Sequence, residues 1–142
     1  MKDSLILKVR DLSVELSGEL VIQDLNFDLY QKEILIILGP NGAGKSVLLK
    51  TLLGLIPYQG EVTWSKEIKV GYVPEEFVVS KNLPLSIREF FQFKQPSLSR
   101  IRRVIRQVGL NPSQKFLEKR IGILSSGQYR RILIAWAMVN EP

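Results

Sequence analysis

The segment GPNGAGKS at residues 39–46 constrains the fold of this chain more than any other feature. It fits the pattern G-x-x-x-x-G-K-[ST] at every position. The apolar residues ILIIL at 34–38 come directly before it, and the leucine-rich stretch VLLKTLLGL at 47–55 follows. A buried strand, a glycine-rich loop and a helix in this order form the context in which such a loop cradles phosphates. The sequence therefore predicts a strand–loop–helix unit that binds a phosphorylated ligand.

Each position of this segment, termed the phosphate loop, has a physical role. Glycines lack a Cβ atom, so the backbone N–H groups can turn inward and approach an anion closely. The helix that follows directs its unpaired N–H groups and its positive dipole end to the same place. Lys45 is expected to reach the β- and γ-phosphates as a catalytic residue, and the hydroxyl of Ser46 is expected to bind Mg²⁺. The predicted nucleotide-binding residues are Gly39, Pro40, Asn41, Gly42, Ala43, Gly44, Lys45, Ser46 and Val47.

Composition limits the chemistry that the chain can perform. Its 142 residues correspond to about one domain. The longest apolar run, ILIAWAMV at 132–139, is far shorter than the roughly 20 residues of a membrane-spanning helix. The chain has no cysteine and no histidine, which excludes disulfides, thiolate or imidazole metal ligands and histidine-based catalysis within it.

The net charge of +6 is concentrated in the second half of the chain. Residues 100–106 contain four arginines, and the apolar residues among them follow i, i+3, i+4, i+7 spacing from Ile101. The arginines are therefore expected on the opposite face of a helix. This face is either simply solvated or contacts acidic lipid, acidic protein or nucleic acid. No aromatic residue interleaves with the arginines, so stacking on nucleic-acid bases is unsupported. Nucleic acid is not expected as a partner.

Hydrophobic periodicity predicts antiparallel strands first and helices later. Short strands are expected in LILKV and SVEL, followed by a turn at Ser17-Gly18. A third strand, VIQDLNFDLY, alternates with a slip near Gln23-Asp24, and GEVTW and IKVGYV are predicted as further strands. From residue 84 the period becomes helical, and Ser86 with Glu89 predicts a capping box.

A second motif, LSSGQ at residues 124–128, begins the last predicted helix. Ser125 and Ser126 supply hydroxyls, Gly127 permits close approach of the backbone, and the helix offers a second N-terminal dipole to an anion. Taken alone, the motif is only a serine-capped helix start. Together with the phosphate loop, it makes the chain resemble the ATP-binding subunits of ABC transporters, from about Leu5 to the last residue.

The resemblance implies an α/β fold: a P-loop NTPase core with an N-terminal antiparallel β-subdomain and an α-helical subdomain. The subdivision implied is residues 1–83 for the β-subdomain and phosphate-loop core, 84–120 for the helical subdomain, and 121–142 for the signature motif and its helix. ATP and Mg²⁺ are the implied cofactors. In the family, two ATPase subunits dimerise head to tail, and the signature of one contacts the γ-phosphate bound by the other. The implied signature residues are Leu124, Ser125, Ser126, Gly127 and Gln128.

The family also has a Walker B aspartate and glutamate, a D-loop and a switch histidine after the point that corresponds to Asn-Glu-Pro at 140–142. By this resemblance the chain is expected to be the N-terminal part of a subunit, with the C-terminal part of the core missing. Alone, it is expected to bind nucleotide without efficient hydrolysis.

Several positions depart from the family pattern. Glu75 stands where the family has a glutamine that contacts Mg²⁺ and the attacking water, and Glu76 follows it. Glu75 is therefore a candidate catalytic residue, and the alternative is a surface loop with two solvated acids. Leu16 replaces an aromatic residue that stacks on adenine, and Ser126 replaces a glycine.

The short link from the phosphate loop to VGYVPEEF, followed by LPLSIREFF, resembles the ATPases of zinc/manganese importers. The resemblance implies an ATP-binding subunit that energises transport by ATP-driven dimerisation and hydrolysis. Its partners would be an integral-membrane permease and a second ATPase subunit, and its place the cytoplasmic face of the membrane, as a peripheral protein. The alternatives are a non-transport ABC ATPase of translation or DNA repair, and a degenerate non-hydrolytic subunit.

Overall fold

The computed structural model describes residues 4–75, 80 and 83–142. The chain divides into two compact units, with the boundary between Ile68 and Lys69. The first unit contains β1 (Leu5–Leu16), β2 (Glu19–Tyr30), α1 (Lys45–Leu52) and β3 (Gln59–Trp64). The second contains α2 (Ile87–Gln92), α3 (Leu98–Gln107), α4 (Gln114–Leu117), a 3₁₀ turn (Ile121–Ile123) and α5 (Ser126–Met138).

The first unit is built on an antiparallel sheet in the order β2-β1-β3. Ser17 and Gly18 join β1 to β2 with φ angles of 53° and 82°. Two consecutive left-handed residues give a hairpin turn whose twist matches that of the strands. The predicted turn is thus confirmed. Two short strands were predicted, but β1 is one continuous strand. It passes through Asp11, whose φ angle of 48° is irregular for a strand.

The slip predicted near Gln23-Asp24 is a register shift between β1 and β2. Leu12 pairs with Leu25, whereas Val14 pairs with Ile22, so β2 carries one extra residue between these pairs. Such a bulge re-aims the following side chains without ending the ladder. The sequence pattern therefore located this irregularity correctly.

One face of the sheet packs against α1 to form the core of the first unit. The fully buried residues of β1 are Leu7, Val9, Leu12 and Val14, and α1 adds Leu48 and Leu52. The alternate residues of β2 that were predicted to face inward lie against this cluster. Burial of one face of each element therefore fixes how α1 lies on the sheet.

The strand predicted at residues 34–38 is not formed. The segment belongs to no strand, and Ile34, Ile36 and Leu38 are 87%, 70% and 86% exposed. A strand is stable only with a neighbour that accepts and donates its ladder hydrogen bonds. Within the described ranges no strand pairs with these residues. The strand predicted at 68–73 is absent for the same reason.

We expect the apolar segment 34–38 to promote self-association of the chain. An exposed, uncharged segment of β-branched residues and leucine is a template for pairing with another copy. Replacing Ile36 by lysine should lower the fraction of oligomer measured by sedimentation velocity, because a charge opposes such pairing. Leu55→Lys is the control, since Leu55 is 65% exposed outside the segment. Equal oligomer fractions in the two variants would contradict the prediction.

Helices pack around a single apolar cluster in the second unit. The capping box predicted at Ser86 and Glu89 is present at the start of α2. α3 buries Ile101, Val104 and Ile105, as the spacing predicted, and ends before Gly109, whose φ is 74°. The other fully buried members of this cluster come from α2, α4, the 3₁₀ turn and α5, and they include Ile87, Phe91, Leu117, Ile121 and Ile132.

Arginines of α3 and α5 help to hold these two helices antiparallel. The Nε atom of Arg100, at the start of α3, donates to the carbonyl oxygen of Val139 (3.1 Å), just beyond α5, and its guanidinium pairs with Glu141. At the other end, Arg131 of α5 donates to the carbonyl oxygen of Gly109 (3.5 Å).

No helix among the described residues is long and apolar enough to cross a bilayer.

Candidate functional site

The phosphate loop ends in a backbone conformation that opens the N-terminus of α1. Gly42 and Gly44 have φ angles of 86° and 80°, which only glycine adopts without strain. Gly44 is the residue that precedes α1, and among the described residues no side chain caps the helix there. The first N–H groups of a helix have no partner within the helix. Those of α1 are therefore available to an anion placed beside the loop.

Lys45 folds back across the loop. Its Nζ atom donates to the carbonyl oxygens of Gly39 (2.9 Å) and Pro40 (2.6 Å), so one ammonium joins the two ends of the loop. The N–H of Ala43 also donates to the oxygen of Pro40 (3.3 Å). These acceptors are neutral, whereas a phosphate oxygen is charged and forms a stronger hydrogen bond with an ammonium. A phosphate in the loop would therefore compete well for Lys45.

The position of α1 is fixed from both ends. At its start, the backbone of Gly44 lies against Val21 of β2, where a Cβ atom on residue 44 would come within 3.0 Å of Val21 Cγ1. At its end, Gly54 and Leu55 donate to the carbonyl oxygens of Thr51 (2.8 Å) and Lys50 (2.9 Å). This pattern is a Schellman motif. The helix predicted after the phosphate loop therefore ends just before Gly54.

Replacing Gly44 by alanine should destabilise the first unit by about 1–3 kcal/mol. The new methyl group would meet Val21 in a backbone conformation that alanine rarely adopts. Gly127→Ala is the control, because a Cβ atom at that residue meets nothing within 4 Å in the part of the chain that the structure describes. Urea unfolding followed by the fluorescence of Trp64, in a Trp136→Phe background, measures the difference. A Gly44→Ala chain as stable as the Gly127→Ala chain would contradict the expectation.

The remaining predicted phosphate-loop residues surround this helix start. Ser46 is exposed in the first turn of α1, next to the unpaired N–H groups. Val47 is half-buried and packs against the core of the first unit. Asn41 is exposed in the loop. The loop thus presents one ammonium, one hydroxyl and several main-chain donors from a single short segment.

The signature segment, residues 124–128, forms the start of α5. Ser125 precedes the helix and accepts a hydrogen bond from the N–H of Gln128 (3.2 Å), and the side chain of Gln128 accepts one from the N–H of Ser125 (3.3 Å). This reciprocal arrangement is a capping box. Ser126 and Gly127 are exposed, and Leu124 packs against the helical cluster. The hydroxyl of Ser125 thus has a partner inside the chain, and the neighbouring Ser126 is an exposed residue.

Nothing in the packing of the described part of the chain requires a glycine at position 127. Among the residues that the structure describes, an added Cβ atom would meet no heavy atom within 4 Å, and the residue has an ordinary backbone conformation. A glycine in such a position leaves space for something outside the chain to approach the main chain. The exposed N-terminus of α5 is therefore a second candidate anion-binding surface.

The other candidate residues lie apart from these helix starts in the sequence. Glu75 is exposed, and Glu76 lies outside the described residues. Leu16 is a half-buried residue at the end of β1 that packs against the core of the first unit. The contact of Val21 with Gly44 was missed by the sequence interpretation, because no local pattern links a strand residue to a loop far along the chain.

A glycine-rich loop that opens the N-terminus of a helix is the arrangement found in P-loop nucleotide-binding proteins. The family model described as "ABC transporter" matches residues 22–142, and the chain belongs to this family. The predicted fold class, an ABC ATPase fold with an antiparallel sheet and helices, is thereby confirmed.

Curated relatives and a solved structure extend this result. The chain is 34% identical over 139 residues to the zinc import ATP-binding protein ZnuC of Haemophilus influenzae, covering 96% of the chain and 51% of that protein. It is 36% identical over 140 residues to zinc import ATP-binding protein ZnuC 2 of Aliivibrio fischeri, covering 97% and 56%. A solved ABC transporter in an inward-facing conformation is 28% identical, with a TM-score of 0.79, covering 97% of this chain and 58% of that one. The chain therefore spans about half the length of the curated relatives it matches.

Proposed function

We propose that the chain provides the phosphate-binding and signature segments of the ATP-binding subunit of an ABC transporter. The transporter is proposed to import a divalent metal ion such as zinc or manganese. The observation that carries the nucleotide-binding part is the open N-terminus of α1 behind two left-handed glycines. The metal-import part is supported by the two ZnuC relatives, each of which covers nearly the whole chain. The metal ion is the transported substrate in this proposal and needs no site in this chain.

ATP would bind with its phosphates at the phosphate loop. Main-chain N–H groups from Gly42 to Val47 would donate to the phosphate oxygens, and the dipole of α1 would favour their negative charge. The ammonium of Lys45 would leave the carbonyl oxygens of Gly39 and Pro40 and contact the terminal phosphates. Binding would thus replace two neutral hydrogen bonds of Lys45 with charge-assisted ones.

The residues present fit a magnesium ion that is bound together with the nucleotide. Mg²⁺ prefers oxygen ligands and usually keeps several waters beside one or two protein groups and substrate phosphates. The exposed hydroxyl of Ser46 in the first turn of α1 is such a group. When bound, the ion would neutralise charge that develops on the phosphates. Glu75 remains a candidate for a contact with this ion or with the attacking water.

A titration of the chain with ATP, ADP and adenosine tests the nucleotide-binding proposal. We expect affinity to fall in this order and to fall further when Mg²⁺ is removed with a chelator, because the phosphates supply the contacts. Adenosine that competes as well as ATP would contradict a phosphate-directed site.

Hydrolysis is a separate part of the proposal. The whole protein is proposed to hydrolyse ATP, while the 142-residue chain is proposed to bind it without efficient turnover. The resemblance assigns the group that activates water to a segment beyond the matched residues, and positioned groups supply most of the catalysis in phosphoryl transfer. Comparable turnover by the chain and by a protein of the relatives' length would contradict this.

The signature segment would act on a second subunit. Ser126 and the space beside Gly127 would receive the γ-phosphate held by the phosphate loop of a partner in a head-to-tail dimer. The other partner would be an integral-membrane permease, which the chain would contact at the cytoplasmic face of the membrane.

Glu75 favours one alternative, a degenerate non-hydrolytic subunit, because its carboxylate brings negative charge to a position where the family has a neutral glutamine.

A further inference from the structure

Two main-chain hydrogen bonds join the start of α2 to the segment that leads into α5. The N–H of Ile87 donates to the carbonyl oxygen of Lys119 (2.9 Å), and the N–H of Ile121 donates to that of Leu85 (2.8 Å). Ser86 and Arg120 lie opposite each other as an isolated antiparallel pair. Residues 85–87 and 119–121 are together termed the main-chain bridge. It connects two segments that are distant in sequence but belong to the same compact unit.

A short segment with its own main-chain hydrogen bonds connects the main-chain bridge to the signature segment. The N–H groups of Ile123 and Leu124 donate to the carbonyl oxygens of Arg120 and Ile121, both at 3.3 Å. The side chain of Ile121 is 1% exposed, and Leu124 packs against the same apolar cluster. Ser125, the capping residue of α5, follows at once. The direction of α5 at its N-terminus is therefore set by residues whose main chain is already held.

The other side of the main-chain bridge is equally fixed. Ser86 Oγ accepts a hydrogen bond from the N–H of Glu89 (3.2 Å), and Glu89 Oε2 accepts one from the N–H of Ser86 (2.8 Å). The side chain of Ile87 is fully buried. The bridge therefore joins the N-terminal ends of two capped helices, α2 directly and α5 through the 3₁₀ turn.

We infer that the main-chain bridge positions the signature segment for its contact with an anion. The attraction between a helix N-terminus and a phosphate depends on the direction of a few N–H groups, and an error of about 1 Å is enough to weaken such a contact. Leu85, Ile87, Lys119 and Ile121 act as positioning residues through their main-chain groups and do not touch the anion themselves. The inference rests on the proposed function, since it assigns supporting residues to the signature segment.

Proline substitutions can remove the two bridge hydrogen bonds selectively. Ile87 and Ile121 are the first residues of α2 and of the 3₁₀ turn, a position at which proline is well tolerated. The residues before them, Ser86 and Arg120, have ψ angles of 160° and 136°. These extended conformations are the ones that a residue before proline prefers. Ile87→Val and Ile121→Val are matched controls, because valine shortens the same buried side chain but keeps the N–H donor.

Amide hydrogen exchange of the 142-residue chain, measured by NMR without nucleotide, gives the readout. We expect the N–H groups of Gln128 and Tyr129, which donate to Ser125, to exchange at least tenfold faster in each proline variant than in its valine control. The N–H groups of Ala135 and Ala137, both in the last turn of α5, should change less than twofold. This contrast separates local release of the helix start from a general loss of stability.

Three outcomes would overturn the inference. Exchange at Gln128 and Tyr129 equal to that in the valine controls would show that the bridge does not hold the helix start. Uniform acceleration along α5, or loss of the folded spectrum in both proline variants, would show that the bridge serves the fold as a whole. If one proline variant does not fold, the other provides the same comparison. Because no nucleotide is present, the result is independent of the ATP titration that tests the proposed function.

Discussion

Replacing Lys45 by alanine is expected to weaken ATP binding by about 10- to 150-fold, which corresponds to the loss of one charged hydrogen-bonding group worth about 1.5–3 kcal/mol. In the structure, this ammonium lies across the phosphate loop and donates to the carbonyl oxygens of Gly39 and Pro40. A bound phosphate would take these hydrogen bonds as a charged acceptor. The substitution removes the only side chain of the loop that carries a positive charge.

Isothermal titration calorimetry of the chain with Mg-ATP measures this change in ATP affinity directly. Lys50→Ala is the matched control, because Lys50 is an exposed lysine in the last turn of the same helix. Its removal changes the net charge equally but leaves the phosphate loop intact. Equal affinities for the two variants would mean that long-range charge, and not contact at the loop, controls binding. Such a result would remove the central support for a phosphate site at α1.

Replacing Phe91 by alanine should destabilise the second unit by about 3–5 kcal/mol. The ring of Phe91 is fully buried and meets the ring of Phe90 edge to face, with 6.1 Å between centroids. Its removal would leave a cavity in the cluster that holds α2, α3 and α5 together. A loss of this size is a large fraction of the roughly 5–15 kcal/mol that stabilises a typical domain. We therefore expect the helical unit to unfold at much lower denaturant concentration.

Phe93→Ala provides a control of the same residue type only two positions away. Phe93 is 72% exposed, so its truncation should change stability by no more than about 0.5 kcal/mol. Trp136 lies in the second unit, with its ring stacked 5.3 Å from Phe90, and it reports unfolding there by fluorescence. A Trp64→Phe background removes the signal from the first unit. Similar midpoints for the Phe91→Ala and Phe93→Ala chains would contradict the packing described.

Local signals in the sequence predicted most of the helices and turns. Ser86 with Glu89 predicted a capping box at the start of α2, and the serines of LSSGQ predicted a capped start of α5. The structure has capping boxes at both. Gly54 and Gly109 follow the ends of α1 and α3, and both have the positive φ that is common just past a helix end. These features depend on contacts within a few residues, so they can be inferred from short segments of sequence.

The structure of the apolar run at residues 34–38 could not be predicted from its local sequence. Its composition indicates a buried strand, yet Ile34 and Leu38 are among the most exposed apolar residues in the described part of the chain. The composition of a segment predicts that it can form a strand, but pairing depends on what lies beside it. The main-chain bridge shows the opposite: it pairs residues 85–87 with residues 119–121, although nothing in the composition of these segments predicts the pairing.

The sequence by itself determined the starts of α1 and α5, because glycines at fixed spacing before Lys45 and serine capping before α5 act through adjacent backbone atoms. It also determined which face of β2 and which face of α3 are buried, because burial follows the period of the element. Only the tertiary structure decided that Gly44 rests against Val21 and that the start of α5 is tied to the start of α2. These contacts join distant segments, and the free energy of such contacts depends on how the whole unit packs rather than on any local pattern.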